Sequence, residues 1–502
     1  MTLQEAYDEL AQRAKETAYL SSTMSLLHWD QRTQIPSRGH AHRINQLTFL
    51  ARLIHNRRTD PRIGELLALL ETSAYTTDPL TIEAVNIREW KRLYERTTKI
   101  PEKLAVELAR AAAEGEAAWE RARPANDWAA FKPYLERLVE LKKQQADAYG
   151  YDEERYDALL DDYEQGATTS ALQPVLKSLQ QPLVNLLNRI KGSTKKPDPA
   201  LKSRPFPVAE QERFARAVAE QLGFDFSAGR LDVSAHPFTT GIGPGDVRIT
   251  TRYQDHYFNA AFFGVIHEAG HAMYHQGLPV DYWGQPLCRP ISLGINESQS
   301  RLWENMVARS RAFWRHFYPQ AQERFASLRG VALDDFLLSV NEVAPNLIRV
   351  EADEVTYNLH ILLRFELEVA LMRDDLRVED LPHAWNEKMA AYLGLTPPDY
   401  AQGVMQDVHW SGGSIGYFPT YTLGNLYGAQ FFAKARIDLG DLEIQFERGE
   451  FSPLLGWLRE KIHSQGTRYL PRDLLRVVTG EDLEPEYLIQ YLGEKYGRLY
   501  HI

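Results

Sequence analysis

A single cysteine, Cys288, stands in a chain of 502 residues. No intramolecular disulfide can form, and such sparse usage fits a reducing compartment. No apolar run approaches the roughly 18 residues that a membrane-spanning helix requires. The first residues, Met1 to Asp8, are acidic and amphipathic rather than basic and then apolar, so they do not read as a signal peptide. Clustered lysine and arginine are missing, and the net charge is −11. The chain therefore lacks the basic surface that binding to nucleic acid demands. There is no internal repeat or low-complexity segment. The Gly-rich stretch Thr239 to Gly245 is not a phosphate loop, because no Gly-Lys-Ser/Thr follows it. These absences point to a cytoplasmic protein with neither a membrane nor a nucleic acid as partner.

What is present is ordinary globular composition, 44% apolar and 25% charged. A chain of this length buries enough surface to fold without a metal staple, so a metal site in it would be catalytic. Helical periodicity dominates. Thr2 and Glu5 form a capping box before Leu3, Ala6, Leu10, Ala14 and Ala18. Similar patterns fill about 39–72, 80–98, 101–122, 126–148, 167–192 and 208–222, with Gly223 as a C-cap. The one strand signal is Asp246 to Tyr253, which alternates and is rich in β-branched residues. Thr239 to Gly245 before it reads as a turn-rich loop. Helices resume over 254–276, 297–317, 333–343, 348–373 and 380–394. The fold class is mainly α, with one small β-sheet near residue 250.

His267-Glu268-Ala269-Gly270-His271 lies inside the apolar stretch 254–276, where Tyr257, Ala261, Gly264, Val265 and Ala272 supply the spacing and Gly277 ends it. Residues four apart share a helix face, so both imidazoles project together, with Glu268 beside them. Two neutral imidazoles in that arrangement hold Zn²⁺, and the carboxylate takes a proton from the water that the metal acidifies. The competing explanation is two histidines on a buried face with a paired glutamate. A catalytic zinc keeps three protein ligands. A histidine six residues after His271 would serve, but Gly277 is there, and His275 lies a turn too far along the helix. Asn296 reads as the N-cap of a second helix, which places Glu297 in its first turn. Glu297 is preferred as the third ligand, and Glu304 is its nearest rival.

Five ordered motifs then resemble the carboxypeptidase Taq family of metallocarboxypeptidases. They are Asp246-Val247-Arg248-Ile249-Thr250, His267 to His271, Asn296-Glu297-Ser298-Gln299, Ile348-Arg349-Val350-Glu351-Ala352-Asp353, and Gly403-Val404-Met405-Gln406-Asp407-Val408-His409-Trp410. His28-Trp29-Asp30-Gln31 and Tyr156 to Tyr163 are similar to family segments as well, so the likeness covers nearly the whole chain. The resemblance implies a neurolysin-like helical fold, in which residues 1–502 form one catalytic domain of two helical halves flanking a deep groove with zinc at its floor. It implies broad-specificity removal of single residues from peptide C-termini, a homodimer, and Zn²⁺ replaceable by Co²⁺ or Mn²⁺. It favours Glu297 as third ligand and Arg349 as the cation that grips the substrate carboxylate through two hydrogen bonds. His409 and Tyr421 become candidates to hydrogen-bond the substrate or the developing oxyanion. Asp353 and Asp407 become candidates to orient zinc-bound imidazoles, and Arg248 and His236 to line the groove. The family pattern has histidine where this chain has Asn296, which cannot titrate, so altered pH dependence or specificity is expected. Two rivals stay open: a dipeptidyl carboxypeptidase or oligopeptidase with the same metal site, and a catalytically silent peptide-binding protein. Retention of Glu268 argues against the silent protein.

Overall fold

The computed structural model describes residues 1–256 and 258–502; Tyr257, part of the apolar spacing of the motif helix, lies outside the described residues. The architecture is mainly helical, with one three-stranded sheet. Six helices and the sheet position the site. They are α1 (Leu3–Thr33), α2 (Ile82–Lys99), β1 (Gly229–Val233), β2 (Thr239–Gly243), β3 (Asp246–Thr251), α3 (Phe258–Gln276), α4 (Leu293–Arg301), α5 (Tyr357–Met372) and α6 (Pro419–Leu439).

The capping box at Thr2 forms as the sequence predicts, each side chain taking the other's backbone N–H. The periodic stretch 39–72 is instead two helices, His40–Arg58 and Pro61–Leu70. Asp60 caps the second by accepting from the Arg62 N–H at 2.9 Å, with Pro61 in the first turn, where its missing N–H matters least.

The sheet order is β1-β3-β2, with β1 parallel and β2 antiparallel to β3. Only β3 is legible from sequence. The turn-rich stretch before it begins as β2, and the turn itself is made at Gly245, whose φ of +76° suits glycine. Strand β2 carries glycine because α3 crowds it: a Cβ at Gly241 would lie 3.0 Å from His275 Nδ1. The N-terminal helix packs against the sheet through Trp29, over whose ring Arg230 and Arg248 stack at 4.9 and 4.3 Å.

Helix α3 starts at Phe258 rather than 254 and is seated by aromatic packing. Phe258, Phe262, Phe214 and Trp314 are all buried, with Phe258 and Phe262 stacked at 5.0 Å. Each such ring contributes about 1.5–3 kcal/mol of burial free energy. Helix α4 crosses α3 so closely that a Cβ at Gly270 would meet the Gln299 carbonyl oxygen at 2.7 Å. Its N-cap is Ser292, which accepts from the Ile295 N–H at 3.0 Å, and not Asn296. That shift frees the Asn296 side chain for another partner. The expected continuous helix 297–317 is interrupted by a π-helical segment, Leu302–Ala308, which turns Glu304 inward, and a new helix starts after the Ser310 cap. The expected helix 348–373 is also shorter. Arg349–Glu351 is a 3₁₀ turn, and Asp353 accepts from the Val355 and Thr356 N–H groups at 2.9 Å each, just ahead of α5. Among the described residues, no helix is long and apolar enough to cross a membrane.

Candidate active site

Two helices and one strand meet at the motif. His267 and His271 project from α3 towards Glu297 on α4, whose Oε2 lies 3.6 Å from His267 Nε2 and 3.4 Å from His271 Nε2. The three ligand atoms lie within 4.8 Å of one another. Ligand atoms bonded tetrahedrally at about 2.0–2.1 Å stand about 3.3–3.4 Å apart, so this two-nitrogen, one-oxygen set fits a zinc-sized ion.

The outer nitrogens are held as well. His267 Nδ1 is 2.9 Å from Glu304 Oε2, and His271 Nδ1 is 3.2 Å from Asn296 Oδ1. Each imidazole can thus donate its Nδ1–H outward and turn Nε2 inward. Burial works against a charged His267, but Glu297 and Glu304 outweigh it and raise its pKa. Burial likewise opposes ionisation of Glu297, but Arg301 and the two imidazoles hold it well below the usual carboxylate range. Arg301 Nε donates to Glu297 Oε1 at 2.7 Å, and Arg301 and Arg309 both donate to Glu304, at 3.3 and 3.1 Å. Glu304, the sequence rival for third ligand, stands behind His267. Glu268 is 7% exposed, and Thr239 Oγ1 of β2 donates to its Oε2 at 2.6 Å.

A second cluster adjoins this one. Arg349 Nε and Nη2 donate to Asp407 Oδ1 at 2.9 and 2.8 Å, and Nη1 donates to the Tyr357 hydroxyl at 3.0 Å. Arg364, fully buried, donates from Nε to Asp407 Oδ2 at 2.7 Å. Two guanidinium charges therefore share one carboxylate. Tyr357 links the clusters, since the Arg301 guanidinium lies over its ring at 4.7 Å. Tyr421 stacks under Arg349 at 4.9 Å, and its hydroxyl is 3.2 Å from His409 Nε2. Burial, aided by Arg349 and Arg364 against the pull of Asp407, lowers His409 to about 4, so the ring is neutral at pH 7. His409 Nδ1 is buried with no hydrogen bond to any described residue, 4.0 Å from Asp407 Oδ1.

The structure thus brings together His267, Glu268, His271, Asn296, Glu297, Arg349, His409 and Tyr421. Two expectations, for Asp407 and Asp353, are corrected, and Arg248 and His236 are placed at the sheet. Asp407 does not orient a metal-site imidazole, because its carboxylate is committed to Arg349 and Arg364. Asp353 is spent on backbone amides and on Thr356 Oγ1 at 2.7 Å. Arg248 pairs with Asp246 at 2.7 and 2.8 Å and covers Trp29, so it belongs to the sheet. His236 is exposed beside β2, and its carbonyl takes the Ser234 hydroxyl. Sequence reasoning missed Thr239, Arg301 and Tyr357. Arg301 and Glu304, four and seven residues beyond Glu297 on its helical face, carried a readable signal; Thr239 carried none.

A helical chain with two histidines and a glutamate converging beside a second glutamate has the making of a metallopeptidase. It belongs to the carboxypeptidase Taq (M32) metallopeptidase family, whose profile matches residues 9–496. It is 55% identical to thermostable carboxypeptidase 1 of Thermus thermophilus over 512 aligned positions, covering all of both chains. It is 41% identical to carboxypeptidase 1 of Bacillus subtilis, over 97% of each. The solved structure of the M32 carboxypeptidase of Deinococcus radiodurans R1 superposes with a TM-score of 0.96 at 37% identity, covering 99% of this chain and 100% of that one. A carboxypeptidase of Pyrococcus furiosus gives 0.95 at 36% identity, covering 98% of this chain and 99% of that one. The protein is a metallocarboxypeptidase, a hydrolase of peptides.

Proposed function

We propose that His267, His271 and Glu297 hold a catalytic zinc ion, replaceable by cobalt or manganese, and that the enzyme releases single amino acids from peptide C-termini with broad specificity. Bound zinc supplies Lewis-acid polarisation of the scissile carbonyl and acidification of the attacking water. Glu268 takes the proton of that water and returns it to the leaving amine. Thr239 fixes one oxygen of Glu268, leaving the other to meet the water. His409 and the hydroxyl of Tyr421 donate to the oxygen that gains charge. Asn296 and Glu304 turn the two imidazoles towards the metal.

One observation carries the carboxypeptidase assignment: the cluster around Arg349 has a surplus positive charge. Three of the five guanidinium N–H groups of Arg349 are used, by Asp407 and Tyr357, which leaves two for a substrate carboxylate. Arg349 is separated from Glu297 by only the Tyr357 ring and the Arg301 guanidinium. That short reach favours single-residue release over the dipeptidyl alternative. Mass spectrometry of a digested peptide decides between them. A ladder in steps of one residue is expected, steps of two would move the enzyme to the dipeptidyl class, and an unchanged peptide would indicate the silent binding protein. We further propose that residues 1–502 act as one catalytic domain of two helical halves flanking a groove, in the cytoplasm and as a homodimer, which sedimentation of the purified protein tests.

A further inference from the structure

A cleft of about 290 Å³ opens between α1, α2, the outer end of β2 and residues 283–289. Trp90, Leu93, Tyr94, Ile242 and Trp283 form part of its wall. Four arginines also line it. Two are neutralised: Arg13 binds Glu9 and Asp60, and Arg57 binds Glu16. Arg58 and Arg289 make no hydrogen bond or ion pair with any described residue. Arg289 is largely sequestered, and burial, with Arg58 close enough to add its repulsion, lowers it to about 10. Glu89, the acid whose charge acts on Arg289, is spent on Arg88 at 2.9 Å. A sequestered guanidinium with no counter-ion, faced by the like charge of the exposed Arg58, is unfavourable unless an anion joins them.

The cleft and the candidate site are joined by β2. Strand β2 runs from Thr239, bonded to Glu268, to Gly241 and Ile242, which line the cleft. It is an edge strand, paired among the described residues with β3 alone. A peptide paired antiparallel to it would point its C-terminus at Glu268 and its upstream residues into the cleft.

We propose that Arg58 and Arg289 form a subsite for an acidic side chain of the substrate, upstream of the scissile bond. This rests on the carboxypeptidase reading above. Guanidinium recognition of a carboxylate is bidentate and discriminates charge rather than size. The subsite therefore biases an otherwise broad enzyme towards peptides carrying aspartate or glutamate before their C-terminal residue.

The test uses the zinc-loaded full chain and hexapeptides ending in alanine, with aspartate, asparagine or lysine scanned through the upstream positions. At one position the aspartate peptide should show a KM about tenfold below its asparagine twin, and the lysine peptide a higher one. Arg289→Glu should reverse the order of the aspartate and lysine peptides, and Arg58→Gln, at an exposed position, should reduce the discrimination if the first variant fails to fold. Equal KM values across the series in the wild type, or discrimination unchanged in Arg58→Gln, would overturn the proposal. Competition by inorganic phosphate without discrimination between aspartate and asparagine would also overturn it, in favour of a free-anion site. Failure to release alanine from any peptide would instead sink the underlying carboxypeptidase reading.

Discussion

Replacing Glu304 by glutamine separates the ligand from its supporting carboxylate. Glu304 is 8% exposed and accepts from His267 Nδ1 at 2.9 Å, from Arg301 at 3.3 Å and from Arg309 at 3.1 Å. Glutamine keeps the shape and one acceptor oxygen but removes the charge that fixes the His267 ring and makes Nε2 a better donor to a metal. Outer partners of this kind are worth about 10–100-fold in metal affinity, or about 1.4–2.8 kcal/mol. Glu297→Gln removes the charge of a ligand itself and should lose more. Competition titration against a chromophoric chelator measures both variants, with thermal unfolding as the check on folding. At saturating zinc, Glu304→Gln should recover most of its kcat and Glu297→Gln should not. Wild-type affinity in Glu304→Gln would refute the orienting role. A loss in Glu304→Gln as deep as that in Glu297→Gln would make Glu304 a ligand in its own right.

Thr239→Val should lower kcat roughly tenfold by removing the donor to Glu268, with zinc content intact and Thr239→Ser restoring the rate; a full rate in the valine variant refutes it. Arg349→Gln should cost about 10–100-fold in kcat/KM on peptides with a free C-terminus. The same variant should barely change the already poor hydrolysis of C-terminally amidated peptides, and equal losses on both would remove the carboxylate contact. Asn296→His places a titratable ring beside His271, so the pH–rate profile or substrate preference should shift; an unchanged profile and preference would show that position 296 is indifferent. Glu368 is fully buried, accepts from Tyr156, Trp410 and Gly416, and is raised by that burial to about 7. A carboxyl raised in the folded state gives stability that is present below its unfolded value and lost as pH rises through the folded one. The wild type should thus lose about 3 kcal/mol between about pH 4.5 and 7 through this group. Glu368→Gln, less stable at low pH, should lack that component in thermal melts across the window, and parallel pH curves would contradict it.

Much of the site was legible because its chemistry is local. His267, Glu268 and His271 sit at a spacing that works only on a helix, and Glu297 follows within a short connection. Fold class was legible for a similar reason: α1 announces itself through Thr2 and Glu5. What stayed hidden depends on contacts distant in sequence. Strand β2 reads as a turn because its glycines answer to His275 and Trp283, which no window around residue 241 contains. Asn296 reads as a cap because its residue type favours caps, yet Ser292 starts the helix earlier and frees Asn296 for His271. Asp407 has the character of an imidazole partner until Arg349 and Arg364 are found on either side of it. Thr239 joins the site only through the folding of the sheet against α3.

The central claim is that Glu268 does proton work at a metal held by His267, His271 and Glu297. Its most direct test is steady-state hydrolysis of a blocked dipeptide by Glu268→Gln, with zinc measured in the same sample. One zinc per chain and a kcat at least about 100-fold below wild type are the predicted result. Hydrolysis persisting near the wild-type rate would contradict the account.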